Sequence, residues 1–555
     1  MRMKMLLSFI VFALAPFTLS AQPVSGKATL AITNANIITM NPAMPRAECV
    51  AALSEDIIYV GDKAGLPGHI DSGTKVIDLE GMTLIPGFND DHTHTVGAGI
   101  FYMKPILYGM SCAEIVEVVK KEVAKAGAGE TIQASSWDFT TCPNPHKDML
   151  DAVSPENPVM LSQYGGHAAW VNSLQLEKMK ITKDTPDPFG GQIDKDPLTG
   201  EPTGILRETA MESAGMMSMA KDFISMDKHR QVLEKSLELY RKAGITSVQD
   251  NTWVPITVWI LNNLRKEGRL TCRFVCWPYG QVPLLRPLMS LASYDETWVR
   301  KGQWKYFADG AFSAHTAWMT VPYAGEPENY GLPRYTIEEI QKIVLEGTKQ
   351  RQQITFHAIG DRAVHEVVNA VELAQEKYPW TRDLRHRVEH VQMILPEDIP
   401  RMARLGMVAS VQPFAAYNPQ KDLDILGRER AWQAYPYKAI LEGGVPLAFG
   451  SDVPAEVDYK PLLGIYYAVT RKNKEGTMGP INPYSRMSVE KALYCYTMGS
   501  AYAEFMEDKK GSIERGKLAD FTALAENLYE VEPEHIKDIK VIMTVVGGRV
   551  VYQDF

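Results

Sequence analysis

The segment Leu84-Ile-Pro-Gly-Phe-Asn-Asp-Asp-His-Thr-His94 has the pattern of a buried strand that runs into polar residues at its C-terminal end. Because alternate side chains of a strand share one face, His92 and His94 point the same way. Two imidazoles close together at the mouth of a parallel sheet form half of a metal site. An isolated pair is equally compatible with two unrelated histidines in a loop, so the residues that follow along the chain decide between the two interpretations.

Strand patterns alternate with helical periodicity over most of the remaining chain. Beginning with this segment, eight strands are predicted, at residues 83–88, 245–249, 273–276, 304–307, 354–356, 387–390, 407–411 and 446–450. Helical periodicity lies between several of them, at residues 337–350, 363–376 and 396–404. Strand–helix alternation of this number and length predicts an α/β fold with a TIM-like (β/α)8 barrel.

The count of eight requires an insertion between the first strand and the rest of the barrel. We assign residues 84–100 to the first barrel segment, 101–235 to the insertion and 236–504 to the barrel remainder. An insertion that leaves the C-terminal end of a barrel strand lies over the catalytic face. The insertion is therefore predicted to be a lid and substrate domain.

Both ends of the chain contain further strand patterns. Residues 28–83 and 505–555 each alternate in the strand manner, and Gly547-Gly548 is a hairpin turn signal. One small β-sandwich domain built from both termini is the simplest arrangement of these segments.

The first 21 residues resemble an export signal. A short basic region at residues 1–4 precedes an apolar run at residues 5–17, and small residues follow it. The run is too short to cross a bilayer, so no stable membrane span is expected. We predict a removed signal peptide and a periplasmic or secreted protein, with an uncleaved anchor as the alternative.

Composition limits the classes of partner. The chain of 555 residues is 45% apolar and 23% charged, and its formal charge of -9 is spread without a basic stripe. These values describe a soluble globular protein and exclude nucleic acid as an expected partner. Six cysteines include no C-x-x-C pair. Buried free thiols are expected, with a Cys112–Cys142 bridge left open.

Polar residues occur at the C-terminal ends of the predicted barrel strands, where barrel enzymes carry their reactive groups. These strand-end residues are His92, His94, Lys305, His357, His390 and Asp452. Each alone has an ordinary structural explanation, such as helix capping for Asp452. Their joint occurrence in a usable order predicts a metal centre.

Several stretches together resemble the amidohydrolase superfamily, and more narrowly its branch of N-substituted formamide deformylases. The stretches that carry this resemblance are residues 86–94, 187–191, 200–208, 305–310, 357–361, 388–390, 450–452 and 511–520. The likeness covers essentially the whole chain after residue 21. It implies that His92 and His94 bind one divalent metal ion and that His357 and His390 bind a second.

The resemblance also implies roles for Lys305 and Asp452. Lys305, carboxylated by CO2, would bridge two ions; as an amine it would leave a single ion, with Glu208 as a rival bridge. Zinc is the expected ion, although these ligands also suit iron, manganese and nickel. A metal-activated hydroxide would attack the scissile carbonyl, and Asp452 would act as general base and then general acid.

Other residues are candidates for substrate contacts. This set comprises His167, His315, Trp137, Trp170 and Glu208, with Phe312 as a further apolar candidate. Where His315 lies, relatives more often have an arginine, so the substrate preference of the family does not carry over directly.

The expected reaction is hydrolysis of a carbon–nitrogen bond in a small amide, N-acyl or carbamate-like compound. The first alternative is deamination of an aminated heterocycle. Many such deaminases have a glutamate three residues after the histidine of the fifth strand. In this chain that position is Gly360 and the next residue is Asp361, which disfavours deamination. Ester, lactone or dipeptide hydrolysis uses the same centre. A non-catalytic binding protein is the remote alternative, and a homodimer is compatible with the fold.

Overall fold

The computed structural model describes residues 26–211, 225–252, 254–280, 282, 284–480 and 482–555. The predicted signal peptide at residues 1–21 lies outside the described residues, as does part of the predicted insertion. No helix within the described ranges is both long and apolar enough to cross a membrane.

The described strands, in chain order, fall into terminal, inserted and barrel groups. They are β1 (Leu30–Thr33), β2 (Asn36–Ile38), β3 (Arg46–Ala47), β4 (Cys49–Leu53), β5 (Asp56–Gly61), β6 (Lys75–Asp78), β7 (Thr83–Pro86), β8 (Phe88–Thr93), β9 (Ile132–Trp137), β10 (Val159–Gln163), β11 (Ala168–Val171), β12 (Gly191–Lys195), β13 (Pro202–Glu208), β14 (Ile245–Asn251), β15 (Arg273–Trp277), β16 (Val299–Lys301), β17 (Trp304–Phe307), β18 (Ile354–Ala358), β19 (Arg387–His390), β20 (Val408–Val411), β21 (Leu447–Phe449), β22 (Phe521–Leu524), β23 (Val541–Val546) and β24 (Arg549–Gln553).

The described α-helices lie mainly between barrel strands. They are α1 (Thr95–Phe101), α2 (Cys112–Val123), α3 (Lys147–Asp151), α4 (Ser173–Met179), α5 (Met226–Lys242), α6 (Pro255–Lys266), α7 (Leu285–Ser290), α8 (Ile337–Lys349), α9 (Asp361–Lys377), α10 (Asp398–Leu405), α11 (Pro419–Leu426), α12 (Arg428–Ala431), α13 (Tyr437–Glu442), α14 (Pro461–Thr470), α15 (Val489–Tyr494) and α16 (Ser500–Ala503).

The barrel strands form two parallel sheets rather than one continuous hydrogen-bonded ladder. Their orders are β16-β15-β14-β8 and β17-β18-β19-β20-β21. A parallel bridge between Tyr279 and Lys305 joins the sheets on one side. On the other side the Asp452 amide donates to the His92 carbonyl at 2.7 Å. These contacts connect the two sheets near the C-terminal ends of their strands.

The predicted first strand, residues 83–88, is in fact two strands. β7 pairs with β2 and β22 of the terminal sheets, and β8 pairs with β14 of the barrel. The chain changes sheets at Gly87, where a Cβ would lie 2.2 Å from Thr246 Oγ1. Only a residue without a side chain fits this close approach. The prediction merged the two strands because both begin with apolar residues and only Gly87 separates them.

Strands from both chain ends build one pair of sheets. One has the order β5-β4-β1-β6, and the other has the order β24-β23-β22-β7-β2-β3. Their shared apolar core contains Ile32, Ile37 and Leu84 from the N-terminal part and Phe521 and Val545 from the C-terminal part. The two ends of the sequence are therefore held together by burial of apolar surface.

The inserted segment has a sheet and a core of its own. The sheet order is β12-β13-β11-β10-β9, and α2 packs against β9. A disulfide joins Cys112 to Cys142, whereas the other four cysteines are free and buried. The Cys112–Cys142 bridge that the sequence left open is therefore present, and the expected buried free thiols are the other four cysteines.

A buried ion pair connects the barrel to the terminal sheets. Arg273 at the start of β15 is 1% exposed, and its Nε donates to Asp520 Oδ2 at 2.7 Å. A second bond joins Arg273 Nη2 to Asp520 Oδ1 at 3.1 Å. Because both charges are removed from water, each depends on the other.

We expect Arg273→Met to lower the free energy of unfolding by about 3–5 kcal/mol, since it leaves the Asp520 carboxylate buried and unpaired. Chemical denaturation followed by circular dichroism measures this change. Arg230→Met, which removes an arginine paired with Glu267 at the surface, is the control and should change little. Equal effects of the two substitutions would contradict the role of the buried pair.

Candidate metal centre and active site

The two histidines of the first barrel strand project from its C-terminal end. His92 is fully buried on β8, and His94 follows directly after it. The His92 Nδ1 atom lies 2.6 Å from Glu389 Oε2. This contact fixes the ring and leaves Nε2 free for a ligand, as is usual for histidines that bind metals.

Three donor atoms meet at this point. Asp452 Oδ1 lies 3.4 Å from His92 Nε2 and 3.2 Å from His94 Nε2. All three donor groups lie within 4.8 Å of one another. Zinc bonds of about 2.0–2.1 Å in a tetrahedron separate neighbouring ligands by about 3.4 Å. The spacing therefore fits a divalent ion bound by His92, His94 and Asp452.

Two further imidazoles lie beside this group. His357, the residue before the last of β18, and His390, the last residue of β19, lie on neighbouring strands, and their ring centroids are 4.3 Å apart. His357 Nε2 contacts the Gly310 carbonyl at 3.0 Å, and His390 Nδ1 contacts Gln412 Oε1 at 2.7 Å. Each ring keeps its other nitrogen for a ligand, so this pair can hold a second ion.

Burial keeps these imidazoles in the neutral form that binds metals. Loss of hydration lowers the pKa of His92 to about 4 and lowers the pKa values of His357 and His390 well below the usual range. A neutral imidazole retains the lone pair that a metal ion requires. No proton has to be displaced from these rings at neutral pH when an ion binds.

Lys305 lies among these ligands at the middle of β17. It is 1% exposed, and its Nζ is 3.5 Å from His92 Nε2. Burial is the main cause that lowers the pKa of Lys305 to about 8. The lowered pKa increases the fraction of Lys305 that is a free amine near neutral pH, and the free amine is a nucleophile.

Two charged residues for which the sequence predicted no role at the metal centre, Arg387 (interpreted as structural) and Glu389, form a buried network beside His92. Arg387 Nε donates to Glu389 Oε1 at 2.9 Å, and its Nη2 reaches Asp91 Oδ2 at 3.1 Å. Arg387 and His92 hold the pKa of Glu389 well below its usual value, although burial opposes this. The sequence contained one sign of their importance, since charged side chains occur inside a predicted buried strand, Arg387-Val-Glu-His390.

One cavity opens beside the donor atoms. Its lining includes His357, His390 and Asp452 from the centre. Tyr164 and His167 of the inserted segment line its other side. Further lining residues are Phe312, Gln392, Lys421 and Glu456. The predicted substrate candidates His167 and Phe312 therefore lie at the cavity.

The remaining predicted substrate residues lie elsewhere. Trp137 and Trp170 are completely buried in the apolar core of the insertion and do not line the cavity. His315 binds Glu326 Oε1 at 2.6 Å and stacks on Tyr323. The sequence identified these side chains by type, but their direction depends on tertiary packing.

Glu208 lies next to the cavity with both carboxylate oxygens engaged. The His167 Nδ1 atom is 3.0 Å from each oxygen, and Thr316 Oγ1 donates to Oε1 at 2.5 Å. Arg334 Nη1 lies 3.5 Å from Oε2. These contacts orient His167 and make Glu208 a poor candidate for a bridge between two ions.

A family model described as "Amidohydrolase family" matches residues 75–552. The chain belongs to this family. Amidohydrolases cleave carbon–nitrogen bonds, and the donor set described above is that of a metal-dependent hydrolase. The expected family and the expected class of enzyme are thereby confirmed.

Curated relatives cover nearly the whole of this amidohydrolase. It is similar to the protein LONG AFTER FAR-RED 3 of Arabidopsis thaliana, with 33% identity over 95% of this chain and 92% of the relative. It is also similar to N-substituted formamide deformylase of Arthrobacter pascens, with 26% identity over 94% of this chain and 98% of the relative.

Solved structures share the fold. An uncharacterized metal-dependent hydrolase from Pyrococcus horikoshii OT3 covers 91% of this chain and 99% of its own, with a TM-score of 0.74 and 24% identity. Atrazine chlorohydrolase TrzN from Arthrobacter aurescens TC1, complexed with zinc, covers 95% of each chain, with a TM-score of 0.54 and 16% identity. The likeness of these structures supports the TIM-like barrel.

We expect Glu389→Gln to weaken metal binding about 10–100-fold, because an amide holds the His92 ring less firmly than a carboxylate. Competition with a chromogenic chelator measures this affinity. Glu366→Gln, at a glutamate on α9 that is 3% exposed and paired with Arg362, is the control for burial. An unchanged affinity in a folded Glu389→Gln protein would show that the Glu389–His92 contact does not support ligation.

Proposed function

We propose that this amidohydrolase is an exported enzyme that hydrolyses a carbon–nitrogen bond in a small amide, N-acyl or carbamate-like compound. The observation that carries the proposal is the group formed by His92, His94 and Asp452 at one wall of a cavity. The name of the Arthrobacter pascens relative adds N-formyl compounds to the candidate substrates.

The donor set supports binding of two zinc ions. His92, His94 and Asp452 would hold one ion, and His357 and His390 would hold the other. A bound divalent ion supplies Lewis acidity, which polarises a carbonyl group and lowers the pKa of water towards 7. The neutral state of the buried imidazoles supports this ligand role.

Lys305 is proposed to bridge the two sites as a carbamate. Its free amine attacks the carbon of CO2, a nitrogen–carbon bond forms, and one proton leaves to solvent. The product carries two carboxylate oxygens, which an ammonium lacks. The short distance to His92 Nε2 and the lowered pKa of Lys305 support this step.

Asp452 is proposed to move the proton. Burial opposes its ionisation, but neighbouring histidines hold the pKa of Asp452 below its usual value, so it is a carboxylate at neutral pH. It accepts a proton from the attacking water and then donates it to the leaving nitrogen. An amide requires this second transfer because its nitrogen leaves poorly without a proton.

The inserted segment is proposed to act as the lid. Its Gly165 amide donates to the Ala455 carbonyl at 2.9 Å, three residues after Asp452. The Tyr164 hydroxyl bonds to Glu456 in the same wall. These contacts place inserted residues against the cavity, where they exclude water and select substrates.

Amide hydrolysis is favoured over deamination by the surroundings of Asp361. Its carboxylate accepts hydrogen bonds from the amide and hydroxyl of Thr320, with the amide bond at 2.8 Å. It is therefore engaged as a structural group at the start of α9. The Cys112–Cys142 disulfide supports export, because such bonds persist in oxidising compartments.

Metal analysis tests the proposed centre. We expect about two zinc ions per chain in protein produced with bicarbonate and zinc, and one or none in Lys305→Ala, because the bridge is lost. Elemental analysis measures the content, and Lys301→Ala, on the nearby strand β16, is the control. One ion in both proteins would remove the bridge, and no ion in either would remove the catalytic proposal.

Activity against a library of small amides tests the reaction. We expect Asp452→Asn to lower kcat about 10²–10⁴-fold, because the amide side chain cannot accept the proton. Release of both an amine and a carboxylic acid identifies hydrolysis, whereas ammonia with a retained ring identifies deamination. Metal content is measured in parallel, since Asp452 is also a ligand. Full activity of a metal-loaded Asp452→Asn protein would contradict the assignment.

A further inference from the structure

One lysine lies in the wall of the cavity and takes no part in the metal centre. Lys421 is on α11 and is 7% exposed, and it lines the cavity together with His390 and Asp452. Its ammonium is 4.6 Å from the ring centroid of Tyr417 and 5.3 Å from that of Tyr164. The charge is therefore held between a barrel loop and the inserted segment.

Within the part of the chain that the structure describes, the Lys421 ammonium has these two ring contacts and no hydrogen bond or ion pair at contact distance; its charge acts on the adjacent Asp422 only from a longer range, where it opposes the rise in the Asp422 pKa that burial causes. The neighbouring Asp422 carboxylate instead accepts a bond from the Tyr435 hydroxyl at 3.0 Å. Glu456, in the same wall, is bonded by the Tyr164 hydroxyl. The carboxylates beside Lys421 are thus engaged with tyrosines.

An ammonium group has three N–H donors, and aromatic faces satisfy its charge without accepting strong hydrogen bonds. A buried cation that lacks an anionic partner is costly, so such groups are usually paired. The cavity is the direction from which a partner can reach Lys421. This arrangement matches a site for an anion that arrives with the substrate.

We propose that Lys421 binds a carboxylate of the substrate, so that the enzyme acts on N-acyl or carbamoyl compounds that carry a carboxylate. This assignment rests on the proposed function, because it places the scissile bond at the metal ligands of the same cavity. It makes Lys421 a residue that determines specificity rather than a catalytic residue.

Two other roles for this wall are distinguishable from the proposed one. Lys421 could serve only to join Tyr164 to Tyr417, in which case its loss weakens all ligands alike. Glu456 could instead select a cationic substrate. Probes of equal shape and different charge separate these cases.

The probes are N-formylglycine, which is an anion, its neutral isostere N-formylglycinamide and the cation N-formylethylenediamine. Proton NMR titrations of the full-length, zinc-loaded protein follow binding and the release of formate in one sample. We expect the anion to bind about 10–100-fold more tightly than the neutral isostere, the range for a hydrogen bond to a charged group. Lys421→Met should abolish this preference, because it weakens binding of the anion more than binding of the neutral probe, whereas Lys421→Arg should retain part of it.

Lys377→Met is the matched control, because Lys377 also lies over a ring, that of Tyr378, but on the outside of the barrel. It should keep the full preference for the anion. The proposal is overturned if the wild type binds N-formylglycine no more tightly than the neutral probe, or if it binds none of the probes. It is also overturned by an unchanged preference in Lys421→Met, or by a preference for the cation. Formate release is scored separately: selective binding of the anion without hydrolysis supports Lys421 and counts against the proposed reaction.

Discussion

The carboxylate of Glu389 holds two groups at once, the His92 imidazole on one side and the Arg387 guanidinium on the other. All three side chains are buried, so each would be costly without the others. Arg387 also reaches Asp91, one residue before His92 on β8. The orientation of His92, the first candidate metal ligand, therefore depends on a charged network that crosses the barrel interior. Electrostatic pairing thus holds β8 and β19 in place relative to each other, in addition to the hydrogen bonds within each sheet.

Burial has a second effect on the same side chains. Desolvation disfavours the charged form of every group, but its consequence differs with the partner. Burial lowers the pKa values of His92, His390 and Lys305, which favours their neutral forms. Neighbouring basic side chains outweigh burial at Glu389 and Asp452, so the pKa values of these two carboxyl groups are lowered. One environment thus sets several ligands in the protonation states that a metal centre requires.

The barrel was largely predictable from the sequence, because its strands are short apolar runs with polar residues at one end. The runs at 304–307 and 387–390 match β17 and β19, and the other predicted runs after the first differ from the observed strands by one or two residues at an end. The first strand was predicted wrongly because sequence alone does not show that Gly87 passes between two sheets. Trp137 and Trp170 were assigned to the substrate by their aromatic character, but a sequence pattern carries no information on which side of a separate core they face. Glu389 escaped assignment because its contact with His92 exists only once β8 and β19, which belong to different sheets, face each other across the barrel interior.

Chemistry and selectivity come from different parts of this fold. The candidate metal-binding side chains lie at the ends of barrel strands, whose backbone hydrogen bonds fix their positions within narrow limits. Other parts of the cavity lining are the inserted Tyr164 and His167 and, after β20, Lys421, which packs on Tyr417. A substitution or insertion in these parts of the lining changes which molecules fit without moving His92 or Asp452. Motifs at strand ends can therefore persist while substrates change, and this is why the family identifies the reaction of this chain more closely than it identifies the substrate.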